Sequence, residues 1–158
     1  MMRFLKQFPG FERLRLERLP LEVGVRETYR IVGETTVTVD DYTRGRKFDD
    51  AVAYSFYPID LHDERGVVPK PLPPGTVPTI PLGALIPLSS RDLMVAGRCI
   101  SSDRQANSAL RVQASCMAMG QAAGVTSALA AKMGVTPAKV PLADVLKTLR
   151  EHAALTPE

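Results

Sequence analysis

The sequence predicts an α+β chain, with antiparallel strands first and helices last. Three observations carry this. Residues 12–19 and 35–39 alternate with the period of half-buried strands. From Ser108 to Met133 small residues dominate, and Ala114, Ala118, Ala122 and Gly124 recur at helical spacing. Leu142, Val145, Leu146 and Leu149 then mark one face of a last helix.

Taken in order, residues 1–8 read as a short helix end, broken by Pro9 and Gly10. Residues 12–19 are a half-buried strand. Residues 23–32 are interrupted at Gly24, and residues 35–39 form a β-branched strand. Asp40 and Asp41 cap a helical turn through Tyr42. Residues 51–61 are aromatic-rich and extended. Residues 66–81 carry six of the 13 prolines, which makes a semi-rigid connector. A short edge strand falls within residues 79–88.

Leu93, Met94, Val95 and Ala96 form a continuous apolar run. It suits a strand covered on both faces or a buried helical segment. Gly97 ends it and lets the backbone turn or a ligand come close. Residues 101–105 are polar and could serve a binding face. Ser108 or Asn107 caps the long helix, unless it begins a turn later. Gly120 and Gly124 each cost about 1 kcal/mol relative to alanine in an open helix. Their presence implies close packing by another element or a flat ligand. Gly134 stands at the helix end, Pro137 stops continuation, and the last helix runs over residues 141–152.

Length and composition suit one globular domain with a real core: 158 residues, 45% apolar and 23% charged. The net charge of +3 comes without a lysine/arginine block, so nucleic acid is not implied. Cys99 and Cys116 make no disulfide framework and read as buried small hydrophobes. His62 and His152 lie far apart in sequence, so no metal is expected. The 116–131 run contains Gln121 and is too short and alanine-rich for a membrane span. A cytoplasmic protein is expected.

Three clusters could carry chemistry. The helix start with Arg98, Arg104 and Arg111 is either an anion site or a core helix with arginines solvated at its rim. In extended backbone Arg26, Thr28 and Arg30 share a face. The two guanidinia either clamp a carboxylate or pair with Glu22, Glu27 or Glu34. Asp60 and His62 share a strand face, where His62 either moves a proton or sits in a turn paired with Asp60 or Asp63. Tyr54 and Tyr57 offer hydroxyls or core packing.

The blocks Val95-Ala96-Gly97-Arg98-Cys99-Ile100-Ser101, Leu110-Arg111-Val112 and Cys116 through Gly124 resemble the C-terminal end of the FAD-dependent oxidoreductase family, which is distantly similar to fumarate reductase and succinate dehydrogenase flavoproteins. The resemblance extends upstream through residues 25–34 and 57–62 and covers roughly residues 10–150. It implies FAD as cofactor, and a strand and Gly-Arg turn that return to the nucleotide-binding domain. It implies a following helix whose N-terminus points at the flavin ring. Gly97, Arg98, Arg111, Val112 and Gln113 would then contact flavin. Arg26, Arg30 and His62 would line the substrate side as anion clamp and proton donor.

A dinucleotide fold also needs a Gly-x-Gly-x-x-Gly turn, and none of the 11 glycines has that spacing. The expectation is therefore the C-terminal portion of a two-domain flavoprotein fold lacking the N-terminal Rossmann βαβ unit. It is either a truncated gene product or half of a split enzyme. Residues 1–90 form its substrate-domain-like β-rich part, and residues 91–158 complete an FAD-binding domain. The partners implied are flavin, a small-molecule substrate, and a second copy or a separate nucleotide-binding chain. Hydride would pass between substrate and flavin in the complemented protein. The other reading is a non-catalytic remnant that oligomerises and binds no flavin.

Overall fold

The computed structural model describes residues 1–22, 24, 26–27, 29–63, 66–67 and 69–158; the side chains of His62, Asp63 and Val67 also fall outside the description. Thr28 lies outside the described residues, as do Val23 and Val25 of the 23–32 segment.

The chain is a mixed α+β fold. Two small antiparallel sheets come first and the long helices come last. Strand β1 (Ala51–Tyr54) pairs with β4 (Thr79–Pro81) through Ala53↔Ile80 and Tyr54↔Thr79. Between them, β2 (His62–Asp63) pairs with β3 (Gly66–Val67). Ala51, Val52 and Ala53 are buried, and their small side chains let helix α4 (Gln113–Met133) lie against β1. The face of α4 that packs inward is Ser115, Met119, Ala122, Ala123, Thr126 and Ala130, which keeps helical spacing. Helix α5 (Leu142–Glu151) closes the core with Val145 and Leu149. Gly134 ends α4 in the left-handed region, at φ 66°, where a side chain would strain the backbone.

Several elements depart from the sequence expectations. Residues 12–19 form no strand: Leu16 and Leu19 are exposed, and no neighbouring strand pairs with them among the described residues. Only the short α1 (Met2–Leu5) precedes them. Residues 35–39 make an isolated bridge at Val37, and Thr38 then caps α2 (Val39–Thr43). The cap is Thr38, with Asp41 returning a bond to the Thr38 backbone, so a reciprocal capping box replaces capping by the aspartates themselves. Residues 93–96 join neither sheet; Val95 N–H donates to the Leu85 carbonyl at 2.9 Å, and no ladder forms.

The long helix begins about a turn later than Asn107 and Ser108, the alternative the sequence left open, and a short helix precedes it. Helix α3 (Arg104–Leu110) is capped by Asp103, whose Oδ1 accepts from Ala106 N–H at 2.8 Å. Arg111 and Val112 then break the run before α4 begins. Ser108 and Asn107 are buried inside α3 and cap nothing. Within residues 101–105, Ser101 and Ser102 are buried and Asp103 Oδ2 also accepts from Val39 N–H at 2.6 Å, whereas Arg104 and Gln105 open α3 and are exposed. One carboxylate thus joins the starts of α2 and α3. Among the described residues no atom beyond the helix's own neighbouring backbone comes within 4 Å of a Cβ built at Gly120 or Gly124, so the expected close neighbour is not found among them. No described helix is long and apolar enough to cross a membrane.

Candidate functional site

The candidate site gathers around the joint between α3 and α4. Val112 is the N-cap residue of α4, in extended backbone, and offers no side-chain cap. The first turn of the helix carries no acidic residue. Gln113 and Ala114 are exposed there, so the leading N–H groups are available to an acceptor. This bare helix start is nevertheless held firmly. Ser115, in the first turn, lies 2.9 Å from Ser55 Oγ, which lies 2.9 Å from Tyr42 Oη. Tyr42 donates its proton to the Tyr57 carbonyl, so Ser55 donates to Tyr42 and Ser115 to Ser55. Burial pushes the Tyr42 phenol above its ordinary pKa, despite the hydrogen bonds from Ser55 and to Tyr57.

Gly97 sits against this first turn. A Cβ built on it would stand 3.7 Å from Cys116 Sγ, and its φ of +89° suits glycine. Asn107 pins the turn, donating from Nδ2 to the Arg98 carbonyl at 3.1 Å and to Ser102 Oγ at 3.2 Å. Asn107 Oδ1 is buried and accepts no hydrogen bond among the described residues. The Arg98 side chain is exposed. Burial pushes the Cys116 thiol pKa up, with nearby Arg98 working the other way.

The second half of the site is a carboxylate ringed by arginines. Glu27 Oε1 accepts from Arg30 Nη1 at 3.0 Å, and Oε2 accepts from Arg111 Nη1 at 3.0 Å. Arg104 Nε stands 3.9 Å from Oε1. Arg111 is the most buried of the three and also donates to the Asp60 carbonyl at 3.0 Å. Asp60 N–H donates to Ser108 Oγ at 3.0 Å, which fixes the approach to β2 on α3. Arg26, Glu27, Leu61, Arg104 and Arg111 enclose a polar cavity of about 410 Å3.

The structure therefore brings Arg26, Arg30 and Arg111 to one place, through Glu27 and the cavity walls. Gly97, Val112 and Gln113 gather at the α4 start. Arg111 links the two groups, since it immediately precedes Val112. His62 opens β2, two residues after Asp60, and its side chain lies outside the described residues. Glu27 and Asn107 are the site residues the sequence reading undervalued. Glu27 stood there only as one of three possible ion-pair partners, and Asn107 only as a cap. Among the described residues no group of three His, Cys, Asp or Glu could hold a metal ion.

The FAD dependent oxidoreductase family matches residues 1–150. This chain belongs to that family. No curated protein and no solved structure matches it significantly. The family implies FAD as cofactor, and the α3–α4 joint fits such a group: N–H donors without a side-chain cap, and a glycine turn beside them, suit a carbonyl-bearing aromatic ring.

Proposed function

We propose that this chain is the C-terminal part of an FAD-dependent oxidoreductase that passes hydride between a small organic substrate and flavin. The uncapped start of α4 beside the Gly97 turn carries the reading. Gly97, Arg98, Arg111, Val112 and Gln113 contact the flavin, and the positive end of α4 favours negative charge there. FAD, when bound, supplies the two-electron chemistry. Arg26 and Arg30 face the substrate as an anion clamp, and His62 serves as a proton donor. Glu27 holds Arg30 and Arg111 in position.

A nucleotide-binding part outside these residues completes the site, because none of their glycines makes a Gly-x-Gly-x-x-Gly turn. Two observations support a covered face. The 21-residue helix α4 bears no charge except Lys132, although it has an exposed side. Among the described residues the 93–96 run makes one backbone–backbone bond, through Val95, and its Ala96 carbonyl accepts from the Cys99 thiol. The paired division at about residue 90 follows from the same picture.

The uncharged α4 face equally suits a non-catalytic module that oligomerises without flavin. Titration of the purified protein with FAD, followed by flavin fluorescence and visible absorbance, separates the two. Saturable binding that weakens about tenfold in Arg98→Gln, with an unchanged circular dichroism spectrum, is the expected result. Absence of binding by the chain alone, and again after mixing with a flavin-binding half, would leave the interaction module standing.

A further inference from the structure

Away from the polar cavity, a groove of about 930 Å3 opens between β1, α4 and the end of the chain. This size falls within the range of small-molecule sites. Val52, Phe56, Met117, Ala118, Leu149 and Leu155 make its apolar walls. Phe56, Met117 and Leu155 remain 73%, 69% and 88% exposed, so the chain itself does not cover them. None of the residues around Glu27 lines this groove.

One cation stands in the groove wall. Lys47 Nζ donates to the Val77 carbonyl at 2.6 Å and lies 5.0 Å from the centroid of the Tyr54 ring. The carbonyl and the ring face orient the ammonium without cancelling its charge. No carboxylate among the described residues pairs with it, and the groove lining holds no acidic side chain. Two ammonium protons remain to be donated.

We propose that this groove binds an amphipathic monocarboxylate, with its alkyl chain between β1 and α4 and its carboxylate on Lys47. The apolar walls reject a polyanion, which would lose its hydration over most of its surface. The single fixed cation matches a single negative charge and repels a cationic head. The exposed N-terminal arm of a second copy is a poorer occupant. Residues 1–20 carry five basic and two acidic side chains, the same sign as Lys47. The inference is independent of flavin binding.

Isothermal titration with decanoate, decanol and decyltrimethylammonium, each below its micellar concentration, tests it. Decanoate is expected to bind one to one, about fivefold tighter than decanol, which is the scale of a partly exposed ion pair. The cation is expected to bind weakest. Octanoate and dodecanoate should bracket decanoate, with about fourfold tightening per added methylene. Lys47→Gln should bring decanoate down to the decanol affinity, while Lys47→Arg should keep the preference. Equal binding of decanoate and decanol, or indifference to Lys47→Gln, would overturn the proposal. So would no saturable binding.

Discussion

Asp41 accepts from the backbone N–H and hydroxyl of Thr38, and from Arg46 at 2.8 Å. Burial works against its ionised form, but the hydrogen bonds from Arg46 and Thr38 and the Arg46 charge outweigh it, so its pKa is lowered. A carboxyl depressed in the native state binds fewer protons there than in the unfolded chain. Its contribution is therefore complete above the ordinary aspartate range and is lost as pH falls through the lowered native value. Asp41→Asn should cost about 0.5–1 kcal/mol at neutral pH and almost nothing once the carboxylates are protonated. Urea denaturation at the two pH values measures this, and an equal cost at both would contradict it. The helical turn at Tyr42 was readable from Asp40 and Asp41, although the cap itself is Thr38 and Asp41 only completes its capping box. That Asp103 would hold Val39 as well as Ala106 was not, because that contact spans 64 residues.

At the scale of the element, α4 shows where helix patterning misleads. Its glycines imply a close neighbour, yet within this chain Gly120 and Gly124 meet open space. Gly120→Ala and Gly124→Ala should therefore each stabilise the isolated chain by up to about 1 kcal/mol, the difference in helix propensity. Thermal and denaturant unfolding read this gain. If α4 docks a nucleotide-binding half through this face, the same substitutions should weaken that association in a pull-down titration. A loss of stability in the isolated chain would mean that an element of this fold packs there. Boundary signals of the helices were legible: Gly134 takes the left-handed cap of α4, and α5 starts after Pro141. The break at Arg111 and Val112 carries no glycine or proline, so the sequence offered a start there only as an alternative to Asn107 or Ser108. The break follows tertiary anchoring, in which Arg111 reaches Glu27 and the Asp60 carbonyl. Residues 12–19 failed in the opposite sense. Alternation supplies a strand's two faces, but a strand also needs a partner for its backbone, and none adjoins this segment among the described residues.

For the whole molecule, charge and core are separated. The five basic and two acidic side chains of residues 1–20 account for the full formal net charge of +3. Among the described residues the backbone bonds of residues 1–14 are all local, and Phe4 packs edge-on to Phe8 at 5.1 Å rather than on the core. Removing residues 1–20 should change unfolding free energy by no more than about 0.5 kcal/mol while bringing the formal charge to zero. Denaturant unfolding and isoelectric focusing check both parts, and a large destabilisation would place the arm in the core.

Composition, the helix stops and the α+β class were set by neighbouring residues, as were the sequence blocks that mark the family. Each depends on backbone stereochemistry or on a short pattern, which one stretch of chain contains in full. The folded molecule alone decided that Arg30 and Arg111 share Glu27, although Glu27 and Arg111 stand 84 residues apart. It alone placed the Gly97 turn against Cys116, and left the groove beside Lys47 uncovered. Charged side chains are compatible with many partners in sequence. Which one they meet is fixed by the burial of residues 51–53 against α4 and by the backbone bonds that fold residues 99–103 onto residues 31–37.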